Sequence, residues 1–243
     1  MRIAVLSDIH ANLPAFEAVL AAIDDVGIEE RWCLGDIVGY GAQPDACARL
    51  AEDRCEVVLA GNHDLAALHE IDITTFSSAA AAAAEWTRQN ATAGTLDWLR
   101  SLEPAGVARE VGVFHASPRD PVWEYVLSAE QADQCLDVQE HRLALIGHSH
   151  VALWFHRLED GGVDGQPAAG GMELDLDGRE WLVNPGSVGQ PRDGDPRAAW
   201  LELDLERERA TWHRTPYDVA AAASAILEAG LPEMLARRLE AGQ

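Results

Sequence analysis

Lysine does not occur anywhere in the 243 residues; the basic side chains are 18 arginines, set against 41 aspartates and glutamates. A GC-rich genome and a salt-adapted surface both account for that pattern. The formal net charge of -23 repels polyanions, which excludes general binding to nucleic acid or to an anionic membrane. Cysteine is sparse as well. Cys33, Cys47, Cys55 and Cys135 form no C-x-x-C pair and are too scattered for a disulfide framework, so reduced structural thiols are expected. No apolar run approaches the eighteen or so residues of a membrane span. The amino terminus begins directly in a strand pattern, without the basic region and apolar segment of a secretory signal, and a cytoplasmic protein is expected. There is no internal repeat and no linker. With 48% hydrophobic residues the chain has the means to build a large core, and residues 1–243 are expected to form one domain.

What is present alternates strand-like and helix-like stretches. Ile3 to Leu6 is an apolar run. Asn12 then caps a helix that has Pro14 in its first turn and Phe16, Val19, Leu20 and Ile23 on its apolar stripe. Arg31 to Leu34 forms the next strand, Pro44 opens a helix to about Glu52, and Glu56 to Ala60 forms a third strand. Strand, helix, strand is the unit of a parallel sheet. Residues 74–103 predict two helices broken near Thr92-Ala93-Gly94, a helical segment that caps the site or simply covers the sheet. A hairpin is predicted from Val107–Val111 and Val113–Phe114. Ser128 starts a helix to about Leu136, and Leu143 to Ile146 is a buried strand. Beyond it the pattern is mainly β: a strand over Val151 to Arg157, a glycine-rich loop over Glu159 to Gly171, a hairpin turning at Asp177-Gly178, and strands at Ala198–Leu205 and Ala210–Thr215. Asp218 caps the first of two terminal helices in residues 218–243.

Chemistry concentrates where the apolar runs stop. The first run opens onto Asp8-Ile9-His10, the second onto Gly35-Asp36, the third onto Gly61-Asn62-His63-Asp64. In open α/β sheets the carboxyl edge of the strands is where ligands sit. If these strands are neighbours, Asp8, His10, Asp36, Asn62 and His63 converge in a metal-site composition, with Asp36 best placed to bridge two ions. A lone loop histidine is more often structural. Here, however, five of nine (His10, His63, His115, His148 and His150) follow strand-like runs beside Gly, Asp or Ser.

The order D-x-H, G-D, G-N-H-D, H and G-H-x-H, carried by Asp8 to His150, resembles the calcineurin-like metallophosphoesterase superfamily. Asn184-Pro185-Gly186-Ser187 extends the resemblance to its smaller prokaryotic members. The resemblance implies an α/β fold: an αββα sandwich of two mixed β-sheets flanked by helices, with a dinuclear site at the strand carboxyl ends. Carried over, Asp8, His10 and His150 would hold one ion, Asn62, His115 and His148 the other, and Asp36 would bridge them. Oxygen and imidazole donors without thiolate suit divalent Mn above all, and also Fe, Ni or Zn. Two such ions about 3.5–4 Å apart can share a hydroxide and clamp a phosphoryl group. His63 would act as general acid. Arg192, on a turn-rich loop, suits a non-bridging oxygen, and Asn12 is a second candidate for substrate contact.

The implied activity is hydrolysis of a small phosphomonoester or phosphodiester. A dinucleoside polyphosphate or other nucleotide is a further candidate, and a phosphoprotein is less favoured. Phosphoprotein phosphatases read G-D-x-V-D-R-G, and here Gly39-Tyr40 replaces the Asp-Arg. Purple acid phosphatases place a tyrosine at the position of Gly39. A non-catalytic scaffold of the same fold is the reading outside the enzyme class, although no ligand position is lost. The sequence leaves the oligomeric state open.

Overall fold

The first strand shows how the layers arise. In β1 (Arg2–Leu6) Ile3 and Val5 point to one face while Ala4 and Leu6 point to the other, and both faces are buried. A strand with two apolar faces must lie inside a sheet covered on both sides. The computed structural model describes all residues 1–243, and in it β1 is such a strand. It pairs in parallel with β2 (Glu30–Cys33) and antiparallel with β11 (Ala198–Asp204).

Two six-stranded mixed sheets result. The first runs β3-β2-β1-β11-β12-β9, with β3 at Val57–Val58, β9 at Glu173–Asp175 and β12 at Arg209–Thr215. The second runs β4-β5-β6-β10-β7-β8, formed by Ala105–Ala108, Val111–Phe114, Leu143–Leu145, Trp181–Asn184, Leu153–Arg157 and Val163–Pro167. Ile3, Val5, Trp32 and Trp212 of the first sheet pack against Val113, Leu145, Trp181 and Val183 of the second. Outside the first sheet lie α1 (Leu13–Asp25), α2 (Pro44–Arg54) and α5 (Ala93–Leu99); outside the second lies α6 (Ala129–Leu136). A third apolar cluster joins α4 (Ser78–Asn90), α7 (Val219–Glu228) and α8 (Glu233–Ala241) around Tyr40. This is the expected αββα sandwich.

The predicted caps are present: the side chains of Asn12, Ser128 and Asp218 accept from the amides of Ala15, Gln131 and Ala221. Several expectations are corrected. The strand predicted over Glu56–Ala60 is only two residues long, because the Ala60 amide leaves the ladder and donates to Glu103 O at 2.9 Å. The hairpin predicted from 107–111 turns instead at Arg109-Glu110, both at positive φ, so its first strand ends at Ala108. The loop predicted over 159–171 contains β8, an edge strand whose Gly165 admits the Phe155 ring of β7. Asp177-Gly178 is not a hairpin turn. β9 stays on the edge of the first sheet, where Glu173 and Asp175 pair with Arg209, whereas Trp181–Asn184, buried throughout, enters the middle of the second. A helix not expected from the sequence, α3 (Asn62–Ala67), begins at Asn62 itself.

Candidate metal centre

Each sheet contains three mutually parallel strands, β1-β2-β3 in one and β5-β6-β10 in the other. Their carboxyl ends meet. Asp8 and His10 lie after β1, Asp36 after β2, Asn62 and His63 on the first turn of α3 after β3, His115 after β5, His148 and His150 after β6, and Arg192 after β10. All are buried except Arg192, which is half-buried.

The backbone is bent to achieve this. Asp8, His10, Asp36, His148 and His150 all have φ between 51° and 63°, a region that non-glycine residues rarely occupy and that marks functional strain. Neighbouring glycines make room. A Cβ on Gly61 would collide with Asp36 Oδ1, and one on Gly147 with Ser7 Oγ beside Asp8. Asp64 ties two of the loops together: its carboxylate accepts from the amides of Ile37 (3.2 Å), Val38 (3.0 Å) and Gly61 (2.8 Å).

Two donor clusters share Asp36. Asp8, His10, Asp36 and His150 form one, and Asp36, His115 and His148 the other, with the ligand atoms of each within 4.8 Å of one another. His10, His150 and His115 each donate through Nδ1 to a backbone carbonyl, of Val38, Gln190 and Leu34 respectively. A carbonyl only accepts, so every Nε2 of these rings carries a lone pair. His10 Nε2 and His150 Nε2 nevertheless face each other at 3.0 Å. Asp36 Oδ1 accepts from the His63 amide at 2.8 Å, while Oδ2 has no partner and lies 3.5 Å from His10 Nε2 and 3.6 Å from His115 Nε2. Asp8 Oδ1 and His148 Nε2 are also buried without partners. Interior acceptors left unpaired and aimed at one another are costly unless a cation lies among them. The donor set therefore fits divalent metal ions, with the orienting carbonyls supplying the outer shell that metal-bound histidines require.

Electrostatics lead to the same conclusion. Burial pushes Asp8 up to about 7, and burial together with Asp64 pushes Asp36 well above the carboxylate range. Burial holds His10 and His150 well below their ordinary value and His148 down to about 2. The close approaches of His10 to Asp8 and Asp36 and of His150 to Asp8 are thus not ion pairs in the protein alone, because burial keeps both rings neutral; a cation is what would hold the carboxylates ionised.

A family model described as the calcineurin-like phosphoesterase superfamily domain matches residues 1–206. The chain belongs to that superfamily. It is 38% identical over 246 residues to the uncharacterized protein MJ0912 of Methanocaldococcus jannaschii, covering 99% of this chain and 98% of that one. Its structure is similar to a metallophosphoesterase from Sphaerobacter thermophilus, with a TM-score of 0.89, 39% identity, and 100% and 99% of the two chains covered. A hypothetical protein of Pyrococcus horikoshii, PH1004, shares the fold at a TM-score of 0.80 and 21% identity, with 100% and 98% covered.

A cavity of about 380 Å³ opens over the two donor clusters, floored by Asp36, Asn62, His148 and His150 and bordered by His63 and Arg192. His63 packs against Tyr40 and Phe76 (ring centroids 4.3 and 4.9 Å), and its Nδ1 is buried without a partner. Burial and Arg192 lower it to about 3. Arg192 donates to Tyr40 Oη at 3.3 Å and Gln190 Oε1 at 3.0 Å. Asn12 is placed elsewhere. Its Oδ1 caps α1 and its amide donates to Gly189 O (2.8 Å) and Tyr217 Oη (3.3 Å), so the side chain serves the fold and does not line this cavity. Sequence reasoning missed Phe76, Trp123, Tyr125 and Arg238, which also line it. Each comes from a segment with no motif, and only the position of Trp123 and Tyr125 shortly after the His115 turn hinted at a site.

Proposed function

We propose that this chain, acting as one domain, hydrolyses a small phosphomonoester or phosphodiester at a dinuclear centre, with Mn the favoured ion. The carrying observation is Asp36 Oδ2, unpaired in the interior between His10 Nε2 and His115 Nε2 and common to both donor clusters. Asp8, His10 and His150 would complete one ion's shell, and Asn62, His115 and His148 the other's. When bound, the pair supplies Lewis acidity and an acidified water at neutral pH. The rest falls to side chains around the cavity. Arg192 has no carboxylate partner and is free to hold a non-bridging oxygen. His63 faces the leaving oxygen and delivers its proton; the negative charge of a bound ester opposes the depression of its pKa in the free cavity. With every ligand position filled, an enzyme is favoured over a scaffold. Four free cysteines accord with a cytoplasmic setting.

The test is metal content together with hydrolysis of p-nitrophenyl phosphate and bis(p-nitrophenyl) phosphate, with and without added Mn. The expected result is about two ions per chain and metal-dependent turnover of at least one ester. A fully loaded protein inert on both would sink the proposal. For His63→Ala we expect both metals retained and a rate loss of about 10²–10⁴-fold on alkyl esters, with a smaller loss on nitrophenyl esters, whose leaving group departs without a proton. Metal depletion with a uniform loss would instead place His63 among the ligands.

A further inference from the structure

Nearly every arginine in this acidic chain is ion-paired with a carboxylate; the exceptions are Arg49, Arg192 and Arg238. Two of the three line the cavity over the metal centre. Arg238 has no hydrogen-bond acceptor of its own within the chain. It comes from α8, beyond the residues that match the superfamily model, and that helix is held in place: Leu235, Ala236 and Leu239 bury α8 in the same cluster as Tyr40 and the alanines of α4. The Gly194 amide donates to Gly242 O at 3.0 Å, tying the end of α8 to the loop that carries Arg192. An unpaired cation carried to the cavity by an anchored helix, in a chain of net charge -23, calls for an anion.

The rim adds a second requirement. Tyr125 stacks on His148 at 4.2 Å and Phe76 packs on His63 at 4.9 Å, so both rings are engaged with the site. Trp123 meets only Phe76 among the aromatic rings, edge to face at 5.7 Å, and is 37% exposed at the cavity. A large aromatic surface beside cations and a phosphoryl site suits a planar base.

Building on the phosphoesterase reading above, we infer that the substrate is a nucleoside diphosphate or a longer nucleoside polyphosphate. Its terminal phosphate lies over the Asp/His clusters and Arg192, the next phosphate lies on Arg238, and the base lies on Trp123. The oxygen of water bonds to the terminal phosphorus and the bond from that phosphorus to the bridging oxygen breaks, leaving its electron pair on the bridging oxygen. A nucleoside diphosphate thus yields a nucleoside monophosphate, inorganic phosphate and, near neutral pH, a proton released to solvent. Arg238 is a binding residue that sets specificity.

The experiment compares ADP, AMP, pyrophosphate, fructose 1,6-bisphosphate and p-nitrophenyl phosphate on the Mn-loaded wild type and on R238A, R238K and W123A. Wild type is expected to prefer ADP to AMP by at least about tenfold in kcat/KM. R238A should lower the ratio of ADP to p-nitrophenyl phosphate turnover by about 10- to 100-fold, the range for losing a charged hydrogen bond, chiefly through KM, and R238K should recover part of it. W123A should reduce the preference for ADP over pyrophosphate. A ratio unchanged in R238A overturns the inference, as does a preference for the sugar bisphosphate over ADP. Should the wild type cleave no ester, the phosphoesterase reading itself falls. Equilibrium binding of ADP and AMP to the loaded protein then decides the point: tighter ADP binding that is lost in R238A supports the anion site, and binding indifferent to Arg238 overturns it.

Discussion

Asp36 serves two purposes with one carboxylate. Oδ1 fixes the start of α3 through the His63 amide, and Oδ2 is left unpaired, open to the metal ions proposed above. Asp36→Asn keeps the shape but offers two cations a neutral amide, so elemental analysis should show both metals depleted; full occupancy of both would remove Asp36 from the bridging position. Proton competition gives a second expectation at this scale. Asp8, held at about 7 by burial, is protonated in the metal-free fold at lower pH and must lose that proton to bind an ion. His148, His10 and His150 do not compete in that window, because burial holds the first near 2 and the other two well below their ordinary value. Apparent Mn affinity, read from the free-ion electron paramagnetic resonance signal, should therefore fall steadily as the pH drops from 7 to 5. A flat profile would mean that Asp8 and Asp36, whose carboxyl burial also raises, are both already ionised without metal. The D-x-H, G-D, G-N-H-D and G-H-x-H residues could be picked out in the chain because each needs a particular side chain beside a glycine or a bend. Arg238 could not, since nothing in its neighbours distinguishes it from the adjacent Arg237.

At the scale of elements, the site depends on how loops are held to one another. Asp64 joins the loop after β2 to the N-terminus of α3 through three backbone amides, all buried. Asp64→Ala leaves those donors unsatisfied, at about 1–3 kcal/mol for each. Thermal melting should show a loss of about 3 kcal/mol or more, with weakened metal binding as a consequence of the displaced Asp36. An unchanged melting temperature would show that water or a neighbour takes over all three amides. Helix caps and central strands were legible because they follow local rules, as at Asn12, Ser128 and the Ile3–Leu6 run. The pairing of β9 with β12 was not. Asp177-Gly178 has the composition of a hairpin turn, and only the burial of Trp181–Asn184 between β6 and β7 sends the next strand into the other sheet.

Over the whole molecule, a net charge of -23 on a fold whose arginines are mostly paired leaves unopposed repulsion among carboxylates. Screening shortens its range from about 30 Å at 0.01 M salt to about 3 Å at 1 M, while exposed ion pairs contribute only about 0–1 kcal/mol each. The metal-loaded protein should thus melt at higher temperature in 0.5 M than in 0.01 M sodium chloride; a lower melting temperature would mean that the ion pairs outweigh the repulsion. The same acidity explains why the cavity needs its own cations. No helix is long and apolar enough to cross a membrane. By itself the sequence determined the parallel strand-helix units and the candidate ligand side chains, because hydrophobic period and motif spacing are local properties, and its resemblance to the superfamily implied the two-sheet layering. Only the tertiary structure decided which strand joins which sheet, that Asn12 serves the fold, and that Tyr40, Trp123 and Arg238 meet over one cavity. Those juxtapositions come from α8 and the loops after β2 and β5 packing together across nearly two hundred residues, and no local pattern in the chain records such a distance.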